Sequence, residues 1–216
     1  MVNKAVLKQA PAVRAELAAQ GVPLPEQLIL QLMHVESRGK VGLINPQSGA
    51  SGLMQVMPGT LQDFNKRHGR TYTMSDLQGT SDTAARRQIE VGIGVLATYW
   101  KGAYRYLKKR LENVPIDELA HVADLFYVAG GGATKKRLDK LSSPTWAAVQ
   151  SAYPKWNALP HPRNVFKTQI AHWDLSGIEQ WLKGPIKQFL KDPRAGFALG
   201  VIILIVAYWL MKGKTQ

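Results

Sequence analysis

Glu36 is the residue best placed for chemistry. Met33 and Leu32 stand three and four residues before it, and Ile29 and Leu28 seven and eight before it. On a helix these positions share one face, so the carboxyl ends an apolar stripe. Partial desolvation raises a carboxyl pKa there. The last turn of a helix does the same, because its dipole opposes an anion. Both effects favour a protonated carboxyl near neutral pH, the state a general acid needs. On these residues alone the plainer alternative is a surface glutamate before a turn. His34 precedes Glu36 by two and points to another side of the helix, as a surface or packing histidine does.

The next stretch narrows the choice. Glu36-Ser37-Arg38-Gly39 is followed some ten residues on by Gly49-Ala50-Ser51-Gly52-Leu53-Met54-Gln55-Val56-Met57-Pro58-Gly59-Thr60. Closely spaced glycines permit a tight turn and close backbone approach to a ligand. Gln55 supplies an amide donor and acceptor. This ES-x-G, then GASGLMQ-x-MPGT, resembles the lytic transglycosylase domain of the soluble, goose-lysozyme-like type. The similarity covers roughly residues 20 to 172. It continues through a long helix at Asp82–Leu111 and through Phe126-Tyr127-Val128-Ala129-Gly130. There the family has A-Y-N-A-G, so Tyr127 is kept while Val128 replaces the amide. Near the domain end, Arg163-Asn164-Val165-Phe166 stands where the family carries a tyrosine.

The resemblance implies a reaction with one carboxylate. In the family, the glutamic acid protonates the oxygen bridging N-acetylmuramic acid and N-acetylglucosamine. The same residue, now a base, assists attack by the sugar's own 6-hydroxyl, and a 1,6-anhydro end results. Glu36 takes that catalytic role, Ser37, Met54 and Gln55 line the sugar site, and Tyr127 packs near the acid. The next acidic residue after Glu36 is Asp63, in keeping with a scheme that needs no carboxylate pair. Neither metal nor cofactor is implied. Losing the amide at Val128 removes a hydrogen bond of about 1 kcal/mol, and more if it acts only in the transition state.

The elements that position these residues read as helices. Pro25 and Gly39 bracket the segment that carries Glu36. Thr60 with Asp63 resembles a capping box. Ile89, Ile93, Leu96, Trp100, Ala103 and Leu107 give the long helix one apolar face. Pro115 opens a helix that Gly130-Gly131-Gly132 end, Ser143-Pro144 open another, and Pro162 another. Residues 40–52 and 67–80 read as loops. The expected fold is all-α, a lysozyme-like domain of the goose-type and lytic transglycosylase class with little or no sheet, plus a C-terminal transmembrane helix. The expected divisions are a catalytic domain over 1–174, a basic connecting helix over 175–194, a membrane span over 195–211 and a basic tail over 212–216.

Composition sets the outer bounds. The 216 residues carry a formal net charge of +13 and no cysteine. That removes disulfides, thiolate metal sites and cysteine nucleophiles. The charge fits nucleic acid, anionic lipid and anionic cell-wall polymers alike, but there is no nucleic-acid-binding motif and the charge is dispersed. Residues 183–216 hold six cations and one anion. Within them Ala195–Met211 is 17 residues without a charge, a helix of about 25 Å against a hydrocarbon core of about 30 Å. Lys191, Arg194, Lys212 and Lys214 bracket it, with Tyr208 and Trp209 near one end. Gly196 and Gly200 form a G-x-x-x-G through which two spans can approach, or fall there by chance.

The first twenty residues lack the apolar core of a signal peptide. Four cations precede the span and two follow it, which puts the domain on the cytoplasmic side, away from murein. A phage virion protein reconciles these features. It is made inside the host, carried in an internal membrane or ejected through a tail, and opens the wall locally from the periplasmic side during genome entry. Its expected partners are peptidoglycan, the membrane and other virion proteins. A goose-type hydrolase on the same fold, or a glycan-binding assembly protein that has lost turnover, are the alternatives.

Overall fold

The computed structural model describes residues 2–114, 116–143, 145–152, 177–178 and 181–182, and its named elements are all helices. In chain order these are α1 (Lys4–Leu7), α2 (Ala10–Gln20), α3 (Glu26–Ser37), α4 (Pro58–His68), α5 (Met74–Gln78), α6 (Asp82–Lys108), α7 (Ile116–Ala129), α8 (Gly131–Leu138) and α9 (Trp146–Ala152). Among the described residues, extended pairing is limited to isolated bridges, Ile44 with Ser51 and Ser51 with Val56. The expected all-α fold is therefore present. Met1–Ile178 form one compact unit and Glu179–Gln216 another.

The core is built around α6. Ser81 caps its first turn by accepting the Ala84 N–H at 3.2 Å. Helices α2, α4, α5, α7 and α8 all pack against it. The expected stripe is buried, with Trp100, Ile89, Ile93, Ala103 and Leu107 fully inside. Burial does not stop at one face, however. Ala84, Gln88, Val91, Gly92 and Val95 are buried too, so a second face contacts α4, α5 and the loop after α3. Glycines make that second face possible. A Cβ on Gly92 would lie 2.2 Å from Met54 Sδ, and one on Gly94 would lie 2.5 Å from Phe64 Cε2. At either position a side chain would force Met54 or Phe64 out of its place.

Three helix boundaries differ from the sequence expectations. Helix α4 opens at Pro58, inside its first turn, and Thr60 makes no capping box. Proline fixes φ and needs no N–H partner there. The capping box is at Thr73 and Asp76, which open α5 inside the expected 67–80 loop. The three glycines after α7 do not end the helical region. Gly130 takes the turn at φ 75, and α8 starts at Gly131. Buried Thr134 then donates its hydroxyl to Leu125 O at 3.0 Å and ties α8 to α7.

Helix α3 ends one residue earlier than the position of Gly39 suggests. Arg38 itself takes the left-handed conformation at φ 53. Gly39 serves a different need, because a Cβ there would lie 2.7 Å from the backbone N of Val6. The turn around α1 thus sits directly behind the end of α3, where the Asn3 side-chain amide donates to Arg38 O at 2.9 Å. The C-terminus of α3 is held from behind by the start of the chain.

The helix expected from Pro162 lies outside the described residues. So do Ala195–Met211 with Gly196 and Gly200, the 212–216 tail, and most of 175–194. Among the described residues no helix is long and apolar enough to cross a membrane.

Candidate active site

Glu36 is the penultimate residue of α3 and is half-buried. The apolar stripe beneath it is real: Leu28, Ile29, Leu32 and Met33 are at most 1% exposed. Each such side chain contributes about 1.5–3 kcal/mol on burial, so α3 is firmly seated. The carboxyl therefore stands at the rim of a fixed helix end. His34 is half-buried on another side of the helix.

Ser37 faces inward and is 3% exposed. Its Oγ lies 3.0 Å from Met33 O and 2.9 Å from Leu53 O, and it accepts the Gly39 N–H at 3.2 Å. The hydroxyl thus joins the last turn of α3 to the glycine-rich loop. That loop folds back on itself. Ser51 and Val56 exchange backbone hydrogen bonds at 3.0 and 2.9 Å. Gly52 at φ 80 and Gln55 at φ 46 turn the chain between them. A left-handed Gln is uncommon, and its side chain shows what holds it there. Gln55 Nε2 donates to Leu43 O at 3.1 Å and to Gly52 O at 3.0 Å. Its amide nitrogen is committed to the loop, leaving the oxygen as its free polar end among the described contacts.

Met54 is 1% exposed, and its sulfur packs over Gly92 of α6. What it presents outward is its carbonyl, which accepts the Tyr127 hydroxyl at 2.6 Å. Tyr127 comes from α7 and meets Tyr99 of α6 edge to face, with centroids 6.1 Å apart. Burial pushes the Tyr127 phenol well above its ordinary pKa, and the Glu36 charge adds to the rise. Tyr127 therefore stays a neutral donor to Met54 O, and the carboxylate is close enough for its field to be felt. The structure brings Glu36, Ser37, Met54, Gln55 and Tyr127 to one place. Only Glu36, Gln55 and Tyr127 keep accessible surface, while Ser37 and Met54 stand behind them. Val128 is 39% exposed, so the side chain in the amide's place is turned partly to solvent.

Two residues here were not singled out from the sequence. Gln88 is 1% exposed in the middle of α6. Its Oε1 accepts the Leu53 N–H at 3.0 Å and the Gly42 N–H at 3.2 Å, while Nε2 donates to Gly79 O at 2.8 Å. One amide thus anchors three loop segments. A Cβ on Gly52 would come within 2.8 Å of Gln88 Cγ, so the loop glycine is also a packing requirement. The available signal was an amide one turn before Gly92 on a face of small residues. The second is Asp124 of α7, 3% exposed, whose charge also acts on Tyr127. Three positions before Tyr127, it shares a helix face with it. Among the described residues no three His, Asp or Glu side chains cluster as metal ligands would.

A half-buried acid at a helix end, a neighbouring tyrosine and a pinned glycine-rich loop thus come together in an all-helical domain, an arrangement able to serve acid–base chemistry. The family model described as Transglycosylase SLT domain matches residues 15–143, and the chain belongs to that family. The match carries lytic-transglycosylase-type activity on peptidoglycan as its general function. No curated protein matches the chain. The matched range ends before Arg163–Phe166, which also lie outside the described residues.

Replacing Gln88 by Leu leaves two N–H groups and one carbonyl unpaired. The Gln88→Leu chain is expected to lose about 3 kcal/mol in urea unfolding, well above the value for one ordinary hydrogen bond.

Proposed function

We propose that the chain is a peptidoglycan lytic transglycosylase with Glu36 as its single acid–base group. Glu36 gives its proton to the oxygen between N-acetylmuramic acid and N-acetylglucosamine, and the bond from that oxygen to the muramic C1 breaks. The muramic 6-hydroxyl oxygen then bonds to C1, and its proton returns to Glu36. The products are a 1,6-anhydro end and a free hydroxyl, with no water consumed. The observation that carries this reading is Glu36 half-buried at the fixed end of α3, acting electrostatically on Tyr127. On this reading Gln55 and Tyr127, which keep accessible surface, face the sugar. Ser37 and Met54 hold the wall of the site from behind, through Leu53 O and Gly92. A hydrolase of goose-lysozyme type would use the same acid with water. The exposed Val128 favours a slow enzyme or a glycan-binding assembly protein, because the amide of the family is gone.

In a murein zymogram the wild-type chain is expected to clear a band, and Glu36→Gln to clear none while melting at the same temperature. No clearing by wild type would favour the binding protein.

We infer further that Ala195–Met211 anchors the chain in a membrane and that a phage particle carries it. The support is the uncharged 17-residue run with four cations before it and two after. Positive-inside bias puts the domain on the side away from murein in the cell that makes it. Delivery from a particle restores contact with the wall. Mass spectrometry of purified particles is expected to find the chain at constant stoichiometry. Its presence in lysates but not in particles would remove the virion role.

A further inference from the structure

The C-terminal ends of α6 and α8 meet in a strongly basic surface that the mechanism above does not use. Positions 105–112 and 135–140 hold eight cations against two acids, a net +6. Two aromatic rings tie these helix ends together. The Tyr106 hydroxyl donates to Asp139 at 2.9 Å, while Arg110 lies over the Tyr106 ring at 4.0 Å and pairs with the same carboxylate. Tyr106 meets Phe126 of α7 edge to face, and the Lys135 ammonium stands over Phe126, 5.7 Å from its centroid. The two rings are 6% and 2% exposed, so they are buried beneath the cations.

The dipole of a helix favours cations in its last turn. It accounts neither for their number here nor for Lys140, two positions past the end of α8. Arg105, Lys108, Lys109, Lys135, Lys136 and Lys140 are all exposed. Among the described residues none of these six forms an ion pair. Asp139 is already taken by Arg110 and Tyr106, which leaves Glu112 as the remaining acid of the two stretches. Like charges held this close repel, at a cost that an anionic partner removes.

The character of the surface selects the partner. Lys108 lies about 24 Å along α6 from Gly92, so the surface stands clear of the loop that frames Glu36. Its rings are covered by cations and offer no stacking platform to single-stranded bases. Five of the six cations are lysines, compact charges suited to a diffuse anionic layer rather than forks that grip one phosphate. The uncharged run Ala195–Met211 begins 17 positions after Ile178, a reach of about 60 Å at most when fully extended. We propose that this face docks on the anionic lipid headgroups of the membrane that the run enters. The inference rests on the membrane reading above and adds that the folded domain itself lies against the bilayer. Polybasic clusters beside a span bind lipid in this way. The cytoplasmic leaflet is the anionic one, and positive-inside bias puts the domain on that side.

The test uses the full chain in vesicles of phosphatidylcholine, alone or with about one third phosphatidylglycerol. The chain has no cysteine, so Ala133→Cys on the exposed side of α8 carries a single donor dye. A headgroup-labelled lipid is the acceptor. Energy transfer is expected to be higher on the anionic vesicles. It should fall to the neutral level in about 1 M salt, where screening acts within about 3 Å. Lys108→Gln with Lys109→Gln, and Lys135→Gln with Lys136→Gln, should each lower the ratio of docked to undocked domain about 25-fold, about fivefold for each lysine. Both pairs are exposed, and the melting temperature should not move. Lys4→Gln with Lys8→Gln, beside α1, should leave docking unchanged. Equal transfer on the two vesicle types, transfer unmoved in both the α6 and α8 pairs, or displacement by a DNA duplex at equal phosphate concentration would overturn the proposal. If wild type does not float with neutral vesicles, the membrane span is wrong and the face is judged alone. Flotation with anionic vesicles that both lysine pairs abolish would then support it, and no flotation would overturn it.

Discussion

The geometry of the site depends on one buried amide. Gln88 sits on the buried side of α6, and three hydrogen bonds tie its amide to backbone of the loops around it. A buried polar group is costly unless paired, so this arrangement is close to all-or-none. With Gly42, Leu53 and Gly79 bonded to it, the glycine-rich loop has one position relative to α6. Ser37 then transfers that position to α3 through Leu53 O, and Tyr127 transfers it to α7 through Met54 O. Three helices and one loop are registered on each other by three side chains, and Glu36 stands where they meet.

That construction explains a division of labour among the motif residues. Residues of a sugar-binding sequence motif are easily imagined as all touching sugar. Here the serine and methionine point inward and are nearly inaccessible, and the glutamine spends its amide nitrogen on the loop itself. The motif is so specific because it encodes a shape. It needs left-handed backbone at Gly52 and Gln55, small residues where Met54 crosses Gly92, and a hydroxyl under the helix end. On the proposed mechanism the acid can remain a single residue because its surroundings are held this firmly. Preorganisation of that kind supplies what a mobile second group would otherwise have to provide.

Much of this was legible in the residues. The apolar stripe under Glu36 is plain in the three- and four-residue spacing before it. The long helix is equally plain, because its apolar periodicity runs from Ile89 to Leu107, about five turns. What spacing could not show was the second buried face of α6. Gln88, Gly92 and Gly94 look like interruptions of an apolar pattern, and only their neighbours Leu53, Met54 and Phe64 make them a packing surface. Local chemistry misled at the boundaries. Thr60 has the right partner spacing for a cap, yet Pro58 opens the helix sooner, and Gly131 continues into α8 because Gly130 alone makes the turn. The net charge of +13 narrowed nothing by itself. Its meaning depends on which cations are already paired, as Arg70 is with Glu90.

The central claim is that one carboxylate passes a proton out and back while the sugar attacks itself. Water is the only competitor for the muramic C1, so its fate decides the matter. Murein digested by the full chain in water enriched in oxygen-18, and resolved by mass spectrometry, is predicted to yield 1,6-anhydro ends that carry no label. Reducing ends with one heavy oxygen would contradict the account and make the chain a hydrolase.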